Sequence, residues 1–144
     1  SWTPAKNPYI RFEFGINATH ADLRAFIGFR ETPGAAIPVV GEHFAGILFG
    51  GTVWNAQCGA AGLGTSVNIN AYLGSAARHV VEVYIGTDLA TPAVEVWVDG
   101  VKRASITDSI PTNAQEWDYV IVQSSAAGTK DLTVGELILQ EDLV

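Results

Sequence analysis

The chain has 144 residues, a length that suits one domain, residues 1–144, with a hydrophobic core of its own. Hydrophobic residues make up 48% of the chain and charged residues only 16%, a composition that excludes a disordered tail. The 15 acidic residues outnumber the 8 basic ones and give a formal charge of -7. Nucleic acid is therefore not an expected partner, because phosphate binding needs a basic surface.

Neither the N-terminus nor the cysteine count indicates a membrane-inserted or disulfide-bonded protein. No apolar run approaches the roughly 20 residues of a membrane-spanning helix, so no membrane insertion is expected. The first residues, 1–6, lack the charged start and apolar stretch of a signal peptide. Cys58 is the single cysteine, which excludes an intrachain disulfide and favours a small buried residue over a catalytic thiol.

A period of two dominates the first half of the chain. Apolar residues alternate with Arg11, Glu13 and Gly15 from Ile10 to Ile16, which predicts a strand with one buried face. Turn signals follow at 32–34 and at 50–51. The other strands predicted in this half are 25–29, 46–49 with a continuation from 52–54, and 65–71, and a loop rich in Gly and Ala is predicted at 57–63.

The second half has the same period and one clear hairpin. Val94, Val96 and Val98 alternate with polar residues up to Asp99-Gly100, a dipeptide that favours a tight turn between antiparallel strands. The strands predicted here are 78–85, 94–98, 101–106, 117–123 and 132–139. About nine short strands and no helical period predict an all-β protein, an antiparallel β-sandwich or jelly roll.

The order of these segments carries a family resemblance. A strand at 79–85 precedes the Val94–Gly100 hairpin, then a loop with Ile110-Pro111-Thr112, and then two closing strands that end at Leu143. This order, with the runs at 24–29 and 45–49, resembles the concanavalin-A-like (laminin-G-like) jelly roll. It is most similar to the variant found in structural proteins of tailed phages.

The resemblance implies a non-enzymatic structural protein located in the virion. A capsid-surface decoration or a tail or fibre module would act through contacts with capsid or tail proteins and with copies of itself, as a homo-oligomer such as a trimer. The few charges and the many Gly and Ala residues agree with a surface partly covered by neighbours.

Catalysis is not expected, although jelly rolls of this kind include glycosidases. Glu95 and Asp99 share a strand face with Trp97 between them, yet no second Glu follows Asp99, which also suits a turn. The three histidines, His20, His43 and His79, have no metal-pair spacing.

No cofactor is expected, with calcium as the alternative. Calcium-binding lectins of this fold gather Asp and Asn on neighbouring loops. The candidates here are scattered singly, which favours turn formation through their side chains. They are Asp88, Asp108, Asn113 and Asp131.

Aromatic residues are the remaining candidates for function. Trp97 and Glu95 lie opposite the valine stripe, so a buried stripe would leave Trp97 on a contact surface. If other layers or neighbouring subunits cover both faces, Trp97 is buried instead. Trp54 and Trp117 also lie on or beside strands. A sugar or a partner protein could use such a surface, and the alternative function is a lectin-like module that binds glycans. The triplet Asn17-Ala18-Thr19 matches a glycosylation acceptor pattern, but a chance match is favoured.

Overall fold

The computed structural model describes residues 1–16, 22–73, 77–123 and 132–142. The prediction of an all-β antiparallel sandwich is confirmed, because ten strands make up most of the described residues. The strands are β1 Tyr9–Ile16, β2 Leu23–Arg30, β3 Phe44–Phe49, β4 Trp54–Gly59, β5 Val67–Asn68, β6 His79–Gly86, β7 Ala93–Val98, β8 Val101–Ile106, β9 Glu116–Gln123 and β10 Leu132–Gln140. A single helical turn, α1, covers Asn70–Leu73, and a 3-10 turn covers Pro4–Lys6.

The strands form two five-stranded sheets that pack face to face. The front sheet has the order β10-β1-β6-β7-β8, and the back sheet has the order β5-β4-β3-β2-β9. Each pairing that links these strands is antiparallel. Along the chain, β1 lies in the front sheet, β2 to β5 in the back sheet, β6 to β8 in the front sheet, β9 in the back sheet and β10 in the front sheet. The chain thus crosses repeatedly between the two layers, as in a jelly roll.

The core lies between the sheets and is built from the apolar half of each alternating strand. Phe12 and Phe14 of β1 are fully buried, as are Ile27 of β2 and Ile47 of β3. The valine stripe of β7 also faces inward and is buried. Each such side chain contributes roughly 1.5–3 kcal/mol through burial. Among the described residues, no helical segment is long and apolar enough to cross a membrane.

Two predicted segments differ from the structure. The predicted loop at 57–63 begins inside β4, where Ala56 and Cys58 face the core and Gln57 faces outward. Small side chains had hidden this alternation. The predicted strand at 65–71 shortens to β5, because Asn68 Oδ1 accepts a hydrogen bond from Asn70 N at 2.9 Å and begins the helical turn.

The hairpin between β7 and β8 is confirmed. Asp99 and Gly100 both have positive φ, 52° and 78°, as a two-residue type I′ turn requires. The Asp99 carboxylate accepts a hydrogen bond from Val80 N at 2.9 Å and lies 2.8 Å from His79 Nδ1. Burial raises the pKa of Asp99, but these hydrogen bonds outweigh that effect, and the net pKa is lowered from 3.8.

The Asp99→Asn variant is expected to reduce the acid sensitivity of the fold. A lowered folded-state pKa gives stability that is present above the ordinary value of 3.8 and is lost as the pH falls through the folded value. The side chain is 52% exposed, so solvent screening keeps the effect below about 1 kcal/mol. Urea unfolding at neutral and acidic pH measures it. If the variant and the parent chain lose the same free energy of unfolding between neutral and acidic pH, this role is contradicted.

Two glycines allow the central strands of the back sheet to approach closely. Gly28 of β2 pairs with Gly46 of β3. A Cβ on Gly28 would lie 2.7 Å from Gly46 Cα. This distance is too short for two carbon atoms, so the backbone would have to move.

The Gly28→Ala variant is therefore expected to lose about 1–3 kcal/mol of stability through overpacking. Gly62→Ala is the matched control, because a Cβ on Gly62 meets nothing within 4 Å, and its effect should stay within about 0.5 kcal/mol. Thermal and urea unfolding of both variants give the comparison. Equal stability of the two variants would contradict the expectation.

Candidate binding groove

The outer face of the front sheet carries two rows of polar and aromatic side chains. Strand register sets both rows, because residues opposite each other in neighbouring strands point to the same face. The first row is Gln140, Tyr9, Tyr84, Glu95 and Ser105, and the second is Ile138, Arg11, Glu82, Trp97 and Lys102.

The rows form two adjoining hollows. The first, of about 510 Å³, is lined by Tyr9, Glu82, Tyr84, Glu95, Trp97 and Gly100. The second, of about 710 Å³, is lined by Trp2, Asn7, Tyr9, Tyr84, Leu139, Gln140, Glu141 and Asp142. Both share Tyr9 and Tyr84, so they meet at these two rings. We call the two hollows together the front groove.

Trp97 is held at one end of the front groove by its neighbours. Its Nε1 lies 3.4 Å from Glu95 Oε2, to which it donates a long hydrogen bond, and Lys102 Nζ lies 5.8 Å from the ring centroid. Lys102 also pairs with Glu95 Oε1 at 2.9 Å. Because Val96 and Val98 are buried, Trp97 lies on the outer face, half-buried by these contacts. The structure thus brings together Trp97 and Glu95 as the sequence predicts.

Two tyrosines form the middle of the front groove and donate hydrogen bonds to carboxylates. Tyr9 Oη donates to Glu82 Oε1 at 2.6 Å, and Tyr84 Oη donates to Asp88 Oδ1 at 2.7 Å. Burial and then the hydrogen-bonded carboxylate raise the pKa of each phenol to about 12. Both rings therefore stay neutral at physiological pH.

Phenolate absorbance is expected to report these two tyrosines late in an alkaline titration. Tyr9 and Tyr84 should ionise near pH 12, about two units above the ordinary value of 10.0. The double variant Tyr9→Phe/Tyr84→Phe should lose this late absorbance when titrated beside the parent chain. Loss of absorbance near pH 10.0 instead would contradict the hydrogen bonds to Glu82 and Asp88.

Asn7 builds the far end of the front groove. Its Nδ2 donates to Asp142 Oδ2 at 2.6 Å, and its Oδ1 accepts from Thr87 N at 2.8 Å. Lys6 pairs with Glu141 Oε1 at 3.5 Å beside it. The chain segment after β10 is thereby tied to the segment before β1, and two carboxylates border this end.

Two of the predicted contact residues lie elsewhere. The prediction for Trp54 is wrong: its ring is fully buried and packs edge-on against Phe14 at 4.8 Å, so it contacts no ligand. Trp117 is half-buried at the opening between β9 and β10, where it packs on Phe12 at 5.5 Å. It lies outside the residues that line the front groove. Tyr84 and Glu82 were missed, although they oppose the buried residues of β6 as Trp97 opposes the valines.

The candidates for catalysis are occupied in structural contacts. The Asp99 carboxylate secures the hairpin, so Glu95 and Asp99 do not face each other across the front groove. His43 Nδ1 accepts a hydrogen bond from Thr112 N at 3.2 Å. Cys58 is buried as predicted, and burial, with a smaller effect of Asp108, raises its pKa to about 12.

The calcium candidates do not converge. Asp108 accepts hydrogen bonds from Thr65, chiefly from its backbone N–H, which lower the Asp108 pKa. Asn113 donates a hydrogen bond to Glu31 at 2.8 Å, and Asp88 accepts one from Tyr84 at 2.7 Å. In the part of the chain that the structure describes, no three His, Cys, Asp or Glu residues group as metal ligands. Asp131, His20 and the triplet 17–19 lie outside the described residues.

No protein-family model and no curated protein matches the chain. Several solved structures are similar to it, among them the following two. A structure of botulinum neurotoxin type C, whose cell entry depends on interaction with two ganglioside molecules, matches with a TM-score of 0.57 and 10% identity over 96% of this chain. An alginate lyase from Pseudomonas aeruginosa matches with a TM-score of 0.52 and 13% identity over 98% of this chain.

The chain has a jelly-roll-like β-sandwich fold. It spans 33% of the neurotoxin chain and 68% of the lyase chain. At these identities the likeness shows the fold alone. The concanavalin-A-like resemblance is therefore confirmed at the level of a jelly-roll-like sandwich, and the link to tailed phages stays a prediction.

Proposed function

We propose that the protein is a glycan-binding module that holds its ligand in the front groove without cleaving it. The observation that carries this proposal is the alternation of aromatic rings and carboxylates along one open hollow. Trp97, Tyr84 and Tyr9 follow one another across three neighbouring strands, with Glu95 and Glu82 between them. A concave site with aromatic walls and a few placed polar groups is typical of ligand pockets.

The chemistry of these side chains suits a sugar. A pyranose ring has an apolar C–H face that packs on an aromatic ring, and its edge carries hydroxyl donors. Trp97 and the two tyrosines provide the flat apolar area. Carboxylates such as Glu82 accept hydroxyl protons, since an ionised carboxylate has about four acceptor positions.

The two structural neighbours support the same proposal. One is a neurotoxin that interacts with gangliosides, and the other is a lyase named for alginate. Both names concern carbohydrates. The neighbours support a carbohydrate ligand for this fold, and the front groove supplies the local chemistry in this chain.

Binding without cleavage is supported by the state of the groove residues. Glu95 is paired with Lys102, and both phenols donate to carboxylates and stay neutral. Among the described residues that line the front groove, none is a histidine. These contacts support a binding role, because Lys102 and the phenols already engage the carboxylates of Glu95, Glu82 and Asp88.

The Trp97→Ala variant should lose glycan binding. Affinity electrophoresis in gels that contain soluble polysaccharides measures retardation of the parent chain, and the loss in the variant is expected to be about 30-fold, as for a central aromatic contact. Tyr119→Ala is the matched control, because Tyr119 is 58% exposed and lies outside the front groove. Equal retardation of the two variants would contradict the proposal.

A second assay tests the absence of cleavage. Prolonged incubation of the parent chain with each retarding polysaccharide should release no new reducing ends and no unsaturated products. Product release that disappears in Glu82→Gln or Glu95→Gln would show an enzyme in the same groove. These two carboxylates are diagonal neighbours across β6 and β7.

A protein-contact module of a virion is the second candidate, located on the capsid surface or tail. The exposed tip of the segment between β2 and β3 favours it, since Val39 and Val40 are 59% and 67% exposed. Its partners would be capsid or tail proteins and copies of the chain. This candidate would be supported if the purified chain binds, at fixed stoichiometry, to particles that lack it. The double variant Val39→Ser/Val40→Ser should then lose this binding. A chain that stays monomeric and does not bind particles would remove it.

A further inference from the structure

We infer that the glycan in the front groove is an extended neutral chain, without carboxylate or sulfate groups. This inference rests on the proposed function and adds the class of ligand. It starts from the charges that line the front groove. Four lining residues are acidic, Glu82, Glu95, Glu141 and Asp142, and none of the lining residues is Lys or Arg.

The basic residues near the front groove are already paired with acids. Lys102 pairs with Glu95 at 2.9 Å, and Lys6 pairs with Glu141 at 3.5 Å. Arg11 lies 3.7 Å from Glu136. A cleft lined by one sign of charge repels ligands of that sign. An anionic polysaccharide would therefore meet carboxylates without a matching cation.

Hydrogen bonding leads to the same ligand class. Glu82 Oε1 accepts from Tyr9 and Asp142 Oδ2 accepts from Asn7. Within the described residues, the second oxygen of each carboxylate makes no hydrogen bond. Sugar hydroxyls can donate to these oxygens, whereas a uronate or sulfate group brings only further acceptors to them.

The length of the groove favours a chain over a single sugar. The row from Glu95 through Tyr84 and Tyr9 to Gln140 crosses four neighbouring strands. At the usual strand spacing this row spans about 14 Å, which is longer than one sugar ring. The aromatic rings of Tyr84 and Tyr9 lie along this row, and Trp97 lies in the adjoining row.

Isothermal titration calorimetry with two sets of polysaccharides tests the inference. Laminarin, dextran, galactomannan and xylan are the neutral probes, and alginate and polygalacturonate are the uronate probes. At least one neutral probe is expected to bind at least tenfold more tightly than either uronate. Its affinity should change little with salt, because no ion pair forms with the ligand.

Charge variants give the matched comparison. The double variant Glu82→Gln/Asp142→Asn should bind alginate several-fold more tightly than the parent chain does, because two repelling charges are removed. Glu116→Gln, an exposed change on β9 outside the front groove, should leave alginate binding unchanged. Circular dichroism of both variants verifies that they fold.

The outcomes separate the inference from the proposed function. If a uronate probe binds as tightly as the neutral probes or more tightly, and Trp97→Ala loses this binding, the neutral ligand class is overturned. The front groove then remains the glycan-binding site. Neutral binding that persists in Trp97→Ala would overturn the groove as the site. No binding to any of the six probes would overturn both proposals.

Discussion

Arg30→Met is expected to lower the free energy of unfolding by about 3–5 kcal/mol. The Arg30 side chain is 5% exposed, and its partner Asp118 is 9% exposed. Removal of the guanidinium leaves the Asp118 carboxylate buried without its cation. Gly34 N also donates to this carboxylate, at 3.4 Å. An uncompensated buried charge of this kind is among the most destabilising results of a single substitution.

The same arginine fixes the segment that covers the outer face of the back sheet. This segment, residues 31–43, joins β2 to β3, and we call it the cover loop. Arg30 donates to Ala36 O at 2.7 Å and to both Glu42 oxygens at about 3 Å. Ile37 of the cover loop packs on a small apolar cluster that includes Phe26. Loss of Arg30 is therefore expected to release the cover loop and expose this cluster as well.

Urea unfolding and limited proteolysis measure the two effects of Arg30→Met. Arg78→Met is the matched control, because Arg78 is 66% exposed and its pair with Glu13 is a surface ion pair, worth less than about 1 kcal/mol. The double variant Arg30→Met/Asp118→Leu removes both buried charges and should recover most of the lost stability. If Arg30→Met and Arg78→Met unfold at the same urea concentration, the buried ion pair is not a major contributor.

Much of the fold was predictable because a single rule, alternation with a period of two, governs it. Val94–Val98 and the Asp99-Gly100 turn predicted β7 and its hairpin, since both signals are local. The strand β4 was partly missed, since its inward residues Ala56 and Cys58 are small and resemble loop composition. Ala56 and Cys58 are buried because the opposite sheet covers them, and the local sequence pattern contains no information about that sheet.

The candidate site was predictable only in part, for a similar reason. The alternation of β7 predicted that Trp97 and Glu95 share the face opposite the valine stripe, and the structure buries that stripe. Tyr9 enters the same site through the pairing of β1 with β6, two strands that are about 70 residues apart in sequence. That pairing is long-range, so the row of aromatic rings could not be assembled from the sequence alone.

The Trp54→Ala variant is expected to lose about 3–5 kcal/mol of stability, because a fully buried indole would be replaced by a cavity. The ring packs against Phe14 of the front sheet at 4.8 Å and against Phe49 of its own sheet at 5.3 Å, so the contact with Phe14 joins the two sheets. The measurement is chemical unfolding of the variant beside Trp97→Ala. The latter removes an outer-face ring and should change stability much less.

Trp54→Phe separates packing from the polar group of the indole. The Trp54 Nε1 atom is buried, and within the described residues it has no hydrogen-bond partner, a condition that costs about 1–3 kcal/mol. Phenylalanine removes this donor and keeps an aromatic ring against Phe14, so its loss of stability should be much smaller than that of alanine. Because Trp54 lies in the core and Trp97 in the front groove, Trp54→Phe should retain glycan binding and Trp97→Ala should lose it. A reversed pattern would place the binding surface elsewhere than the front groove.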